Sequence, residues 1–274
     1  MNDYELEIGT LSHVGTERDH NEDFCGSFME SNDRAVVVVA DGVSSNAGGE
    51  VASRMAVEVT LRAFREEPQK LAAGQRLYRA VQQANIEVHD RSIAVPELRG
   101  MATTLTAVTV DRGALTAVHV GDSRLYLVRA GTVAQLSKDH TAAADKVRYG
   151  LLSKERARHH PDRSTLTRSL GRELIVSRDR VSQRVVRGDA LLLCSDGLYN
   201  VLEDAEMAEV MADLDAVAAA RALVEAANRR GTADNLTAAV VRMVGPTPHP
   251  PGESGIGAWV KRLLRRPGAP GDPT

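Results

Sequence analysis

Cysteine is scarce in this chain, with only Cys25 and Cys194 among 274 residues. Two cysteines are too few for a disulfide framework. Both lie in or beside apolar stretches, so they are expected as reduced core thiols. Aromatic residues make up only 3% of the chain, so the core must be built from Val, Leu, Ala, Ile and Met. No apolar run approaches the roughly 18 residues that a membrane-spanning helix needs. The opening, Met1 to Gly9, is acidic and holds no apolar run, so no secretory leader is expected and the cytoplasm is the expected compartment. The formal net charge is only −3, which gives no electrostatic reason to expect a nucleic-acid partner. The length suits one large domain or two small ones, either of which can bury most of its surface without a staple.

The apolar residues mark out the elements. The first 40 residues favour strands, and Val36 to Ala40 is an apolar run delivering Asp41-Gly42. Residues 47–66 have helical character, with Val51, Met55 and Val59 recurring every four. Residues 70–90 suggest a second helix with Leu71, Leu77, Val81 and Ile86 on one stripe. Thr103–Val110, Ala114–Val120 and Arg124–Arg129 are β-rich, separated by Asp-Arg-Gly and Gly-Asp-Ser, and are expected as one antiparallel meander. Residues 140–165 are polar and basic with little to bury, and are expected as a surface excursion. Strand signals return at 180–186 and 190–194, helical ones near 204–212 and 214–228, and a last strand at 236–241. Strands in runs and helices in blocks predict an α+β fold of packed sheets covered by helices. From Gly245 the chain turns Pro/Gly-rich, which places a domain over 1–244 and a tail over 245–274. That tail holds a short basic amphipathic stretch, Trp259 to Arg266, suited to solvent or to a weak contact with an anionic membrane or an acidic partner.

Acids recur where strands should end. Asp41-Gly42 follows one apolar run and Asp196-Gly197 follows another, Leu191 to Ser195. Asp122 sits in Gly121-Asp122-Ser123, Asp234-Asn235 precedes Leu236, and Glu22-Asp23 precedes Phe24. Any one of these can be a simple turn. Two long strands each delivering Asp-Gly are harder to explain that way. Carboxylates converging at rigid strand ends repel one another unless cations neutralise them. Oxygen ligands favour magnesium or manganese over zinc, because neither cysteine nor histidine is suitably clustered. The paired His159-His160 falls in the polar excursion. Residue chemistry alone therefore reaches carboxylate-bound divalent metals, and no reaction.

The motifs also resemble, in order, those of the PP2C-like (PPM) metal-dependent protein phosphatases in their bacterial form. They are Gly15-Thr16-Glu17-Arg18-Asp19-His20-Asn21-Glu22-Asp23, Val39-Ala40-Asp41-Gly42-Val43, Gly100-Met101-Ala102-Thr103-Thr104-Leu105 and Val120-Gly121-Asp122-Ser123-Arg124-Leu125-Tyr126. Leu136 to Thr141, Leu166 to Gly171, Leu193 to Leu198 and Asp234 to Thr237 complete the set. The resemblance spans about residues 6–243. It implies a four-layer αββα sandwich, two mainly antiparallel sheets flanked by helices, with two Mn2+ or Mg2+ ions between the sheets. Asp41 would bridge both ions and Gly42 would offer its carbonyl, with Glu22 nearby. Asp196 and Asp234 would hold the other ion, and Asp122 matches a ligand of a third, weaker metal. Asp23 and Asn235 would support these ligands from behind. Arg18 matches the phosphate-binding arginine, and residues 141–165 fall where bacterial members carry a flap beside the site.

The implied chemistry is hydrolysis of phosphoserine and phosphothreonine in proteins. Glu22, Asp41, Asp196 and Asp234 bring about four negative charges, which two divalent ions offset. Arg18 then supplies the positive charge for a phosphate dianion. A water between the ions would attack phosphorus in line, with no phospho-enzyme and no role for Cys194. Where some members place a proposed general acid, this chain has Val43, followed by Ser44-Ser45 in place of glycines. The leaving alkoxide would take its proton from a metal-bound water, with His20 as second candidate. Expected partners are phosphorylated proteins, including a serine/threonine kinase or its substrates. Rival readings are a dedicated phosphatase for one partner, such as a sigma-factor regulator, a non-catalytic module of the same fold, and a two-metal nuclease.

Overall fold

The computed structural model describes residues 4–43 and 48–245. The Ser44-Ser45 departure and the basic stretch 259–266 lie outside the described residues. Eleven strands and seven helices are described: β1 (Glu5–His13), β2 (Asp23–Ser31), β3 (Arg34–Val43), α1 (Gly48–Glu66), α2 (Ala73–Ala94), β4 (Ala102–Thr103), β5 (Leu105–Asp111), β6 (Ala114–Val120), β7 (Arg124–Arg129), β8 (Thr132–Gln135), α3 (Ala142–Arg148), α4 (Lys154–Arg158), β9 (Asp179–Arg184), β10 (Ala190–Cys194), α5 (Asp196–Tyr199), α6 (Asp204–Met211), α7 (Ala216–Arg229) and β11 (Leu236–Val244).

One sheet runs β1-β11-β10-β7-β8 and the other β2-β3-β5-β6-β9, with β4 added to β3. All neighbours are antiparallel. The apolar runs are continuous because their strands are buried on both faces, so successive side chains serve different layers. On β3, Val36, Val38 and Ala40 pack toward α1 and α2, whereas Ala35, Val37 and Val39 face the other sheet. On β10, Leu191 and Leu193 face between the sheets, while Ala190, Leu192 and Cys194 pack under the last helices. Three apolar layers result, and the order helix–sheet–sheet–helix is the expected αββα sandwich. Among the described residues no helix is long and apolar enough to cross a membrane.

Several local expectations are corrected. Arg124–Arg129 does not continue a meander from β6. It leaves that sheet and pairs with β10 and β8 in the other one. Gly121, at φ +101°, makes this crossing, and a Cβ there would run into the Thr104 side chain. On α1 the buried face is Ala52, Ala56, Val59 and Ala63, with Val51 exposed. The α2 face runs through Leu77, Ala80, Val81, Ala84 and Val88, while Leu71 precedes the helix. Small side chains let both helices lie close on the sheet. The excursion at 140–165 carries α3, α4 and a short 3-10 turn, each opened by a side-chain cap from Thr141, Ser153 or His160. Both cysteines are free; Cys194 is buried and Cys25 half-buried.

Candidate active site

Asp23 opens β2 and stands directly opposite Asp41 of β3 in the antiparallel register. Like charges facing each other across a strand pair repel. The frame around them is held by neutral groups. The Asp41 amide donates to Thr104 Oγ1 at 2.9 Å, and its carbonyl accepts from Thr104 N and Thr103 Oγ1. The Ser195 hydroxyl donates to Asp23 Oδ2 at 2.6 Å and accepts from the Thr237 amide. Asp23 Oδ1 is buried without a hydrogen-bond partner. Asp41 is a β3 residue rather than a strand terminus, because the strand continues to pair with β4.

The loop before β2 closes over this point. The Gly42 amide donates to Glu22 O at 3.0 Å, and the Glu22 amide donates to Asn235 Oδ1 at 2.9 Å. Asn235 Nδ2 donates to Val14 O and His20 O, so this one amide side chain ties the Arg18 loop to β11. The Glu22 carboxylate lies against the start of α1, where a Cβ on Gly49 would overlap Oε1. A Cβ on Gly42 would overlap the Gly49 carbonyl. Glycine at both positions is thus a steric condition for the close approach of β3, Glu22 and α1.

Asp196 is the first residue of α5 and accepts from Asn200 Nδ2 at 3.2 Å. Asp234 accepts from its neighbour Asn235 N at 2.9 Å and from Arg18 Nη2 at 2.9 Å, while Arg18 Nε donates to Ala233 O. Asp122 is buried in the turn between β6 and β7.

These acids share one electrostatic field. Burial, and then the charges of Asp23, Asp196, Asp122 and Asp234, push the Asp41 carboxyl well above the usual range. Burial followed by Asp196 and Asp139 does the same to Asp122, with Arg124 opposing. Asp23 is pushed up to about 7, first by burial, against hydrogen bonds from Ser195 and Thr237. Asp196 rises to about 6, by burial and then by Asp234. A set of acids that raise one another this way needs positive charge to ionise together. Among the described residues, no three acidic, histidine or cysteine side chains are already closed into a metal-holding cage. An orphaned buried carboxylate oxygen, hard oxygen donors and mutual repulsion nevertheless fit divalent cations of the magnesium or manganese kind.

The structure thus gathers Arg18, Glu22, Asp23, Asp41, Gly42, Asp122, Asp196, Asp234 and Asn235 at one end of the sandwich, by the contacts and mutual fields above. His160 is occupied in capping the Asp162 amide, and His20 is exposed. Sequence reasoning missed the pair His119 and His140, whose rings lie 4.8 Å apart. His119 bonds Thr106 Oγ1 and Lys138 O, and burial followed by His140 pushes it down to about 4. His140 Nδ1 accepts from Gly121 N, beside Asp122. A histidine inside Val118-His119-Val120 was the available signal.

Residues 12–240 match the model of the Protein phosphatase 2C family. The chain is 36% identical over 231 residues to a serine/threonine phosphatase, stp, of Listeria monocytogenes, which covers 83% of this chain and 92% of the relative. It superposes on the crystal structure of the Mycobacterium tuberculosis serine/threonine phosphatase PstP/Ppp with a TM-score of 0.78 and 32% identity, over 88% of this chain and 99% of that one. A catalytic domain of PstP in complex with two manganese ions matches with a TM-score of 0.75 and 32% identity, over 88% and 99%. The chain belongs to the protein phosphatase 2C family, the metal-dependent serine/threonine phosphatases, in its bacterial form.

Proposed function

We propose that this enzyme hydrolyses phosphoserine and phosphothreonine in phosphorylated proteins, among them a serine/threonine kinase or its substrates, through the acids gathered above. One observation carries the reading. Asp41, Asp122, Asp196 and Asp234 come from four separate segments yet share one field, because the buried Asp41 carboxyl feels Asp196, Asp122 and Asp234, and Arg18 is already paired to Asp234. In this reading Glu22, Asp41, the Gly42 carbonyl, Asp196 and Asp234 would hold two cations, and Asp122 would hold a further, weaker one. Bound manganese or magnesium supplies Lewis acidity at phosphorus and makes a water nucleophilic at neutral pH.

The chain's own residues do the rest. Asp23 supports the ligands from behind through Ser195, and Asn235 keeps the Arg18 loop on β11. Arg18 binds the substrate phosphate. Among the described residues its guanidinium spends two N–H groups on Asp234 and Ala233 O, leaving donors for phosphate oxygens. Its half-exposed position, 49% of the side chain, lets a protein-borne phosphate reach it. Residues 1–244 would form the phosphatase domain, with 141–165 as the flap, and the cytoplasm is the compartment this reading implies.

Asp41→Ala and Asp196→Ala test the reading. Metal-dependent hydrolysis of para-nitrophenyl phosphate and of a phosphoserine protein should fall at least about a thousandfold, with far-ultraviolet circular dichroism unchanged. An active Asp196→Ala enzyme would overturn the assignment.

A further inference from the structure

Tyr199 ends α5, the short helix that Asp196 begins. Its hydroxyl leaves that helix and donates to the backbone carbonyl of Asp122 at 3.1 Å. Two acids assigned to cations are therefore joined by one phenol. The ring is held from its other side. The Arg124 guanidinium carbon lies 3.6 Å from the ring centroid. Arg124 is itself fixed, donating through Nε and Nη2 to the Asp139 carboxylate at 3.1 and 2.7 Å and through Nη1 to the hydroxyl of the buried Tyr126 at 3.0 Å. Gln135 Nε2 donates to Asp139 as well.

The next residue completes the tie. His140 N donates to Gly121 O at 2.8 Å, and Gly121 N donates back to His140 Nδ1 at 3.1 Å. Asp122 is thus gripped through its own carbonyl by Tyr199 and through its neighbour Gly121 by His140. The segment that grips it, Lys138 to Thr141, leads directly into α3. A guanidinium in a bidentate carboxylate pair and stacked on a ring has little freedom left. Simple ring packing would not require the hydroxyl. Phenylalanine would fill the same space and stack on the same arginine.

We propose that Tyr199 is a positioning residue whose hydroxyl, backed by Arg124, fixes the spacing between Asp122 and Asp196 and so sets the affinity for the further divalent cation at Asp122. The proposal rests on the ligand reading given above. It assigns Tyr199 no contact with substrate.

The test is Tyr199→Phe in the full chain, with Asp122→Ala as reference. Manganese is titrated into metal-free protein by calorimetry, and amide hydrogen exchange is followed in the metal-free state. For Tyr199→Phe the weak phase of the titration should lose about three- to tenfold in affinity, the size of one neutral hydrogen bond, with the tight phase unmoved. Amides of residues 121–124 should exchange faster before any metal is added, while those of β3 and β10 do not. Arg124→Lys keeps the charge but not the planar fork, and should move both readouts the same way. If Asp122→Ala shifts the weak phase and Tyr199→Phe leaves both readouts at wild type, positioning by Tyr199 is wrong and the ligand reading stands. If Asp122→Ala also leaves the weak phase unmoved, the ligand reading of Asp122 fails and the proposal fails with it.

Discussion

Asp23 should be worth more to the enzyme than to the fold, and Asp23→Asn separates the two. The carboxylate is 3% exposed, faces Asp41, and leaves Oδ1 without a hydrogen bond. Burial, opposed by bonds from Ser195 and Thr237, holds it near 7 in the folded metal-free protein, against 3.8 ordinarily. The sign of the linkage follows. Above pH 7 the group is ionised in both states, and its buried charge costs the folded state up to about 4 kcal/mol at ~1.4 kcal/mol per pH unit. As pH falls through 7, the folded chain takes up the proton first. The cost is relieved progressively and is gone by the ordinary carboxylate range. Asparagine is neutral throughout. It leaves an amide N–H near the unpartnered Oδ1 position, a cost of about 1–3 kcal/mol. Metal-free Asp23→Asn should therefore be more stable than wild type at pH 8 by about 1–3 kcal/mol, and within about 1 kcal/mol of it at pH 5. Urea unfolding in chelator at both pH values measures this as a midpoint rise of about 0.5–1 M at pH 8 only. Activity at pH 8 with manganese should fall about ten- to a hundredfold, because the Ser195 hydroxyl, next in the chain to Asp196, loses its charged acceptor. A variant destabilised equally at both pH values would refute the view that this carboxylate is held against its own ionisation.

Two further outcomes follow from the geometry. Gly49→Ala puts a methyl where Glu22 Oε1 now lies, so the carboxylate must swing away. Helix stability should hold or improve slightly, while kcat/KM falls about tenfold at limiting manganese; unchanged kinetics would remove Glu22 from the site. Arg76 is buried, donates twice to Phe64 O, bonds Gln69 and Glu30, and stacks 4.0 Å above the Phe64 ring. Arg76→Met should cost about 2–4 kcal/mol in chemical denaturation, with kcat unchanged, because Glu30 keeps some solvent and the site is carried by other elements.

The sequence made the sandwich legible where a strand is buried on both faces. Val36–Ala40 and Leu191–Cys194 are continuous apolar runs because each feeds two layers. It did not reveal which sheet a strand joins. Gly121-Asp122-Ser123 has the local chemistry of a hairpin turn, yet β7 crosses to the other sheet because β10, more than 60 residues downstream, offers it a partner. No window of sequence contains that contact. The element α5 is four residues long, too short for any periodicity, and β8 is equally short and mostly exposed. Counting large apolar residues found Val59, Leu77 and Val81 on the buried faces but also took in Val51 and Leu71, and it overlooked the alanines that share the packing on both α1 and α2.

The site was legible for a different reason from the fold. Carboxylates that must meet cannot be replaced by other residue types, so they stand out as motifs. Their supports are another matter. Thr104 binds both the Asp41 amide and Ser123 Oγ, and Thr106 Oγ1 donates to Ser123 O. Ser12 accepts from Asn21 and Thr237, and Ser195 joins Thr237 to Asp23. All of these are hydroxyls and amides, ordinary in any strand. Asp41 is placed by neutral bonds to its backbone and Asp23 by the Ser195 hydroxyl, whereas Asp234 also takes a charged bond from Arg18. A frame built this way keeps its geometry when cations leave, at the cost of unrelieved repulsion. On the proposed ligand reading the acids would draw stability from bound cations, and the neutral frame would keep them in reach until a cation arrives.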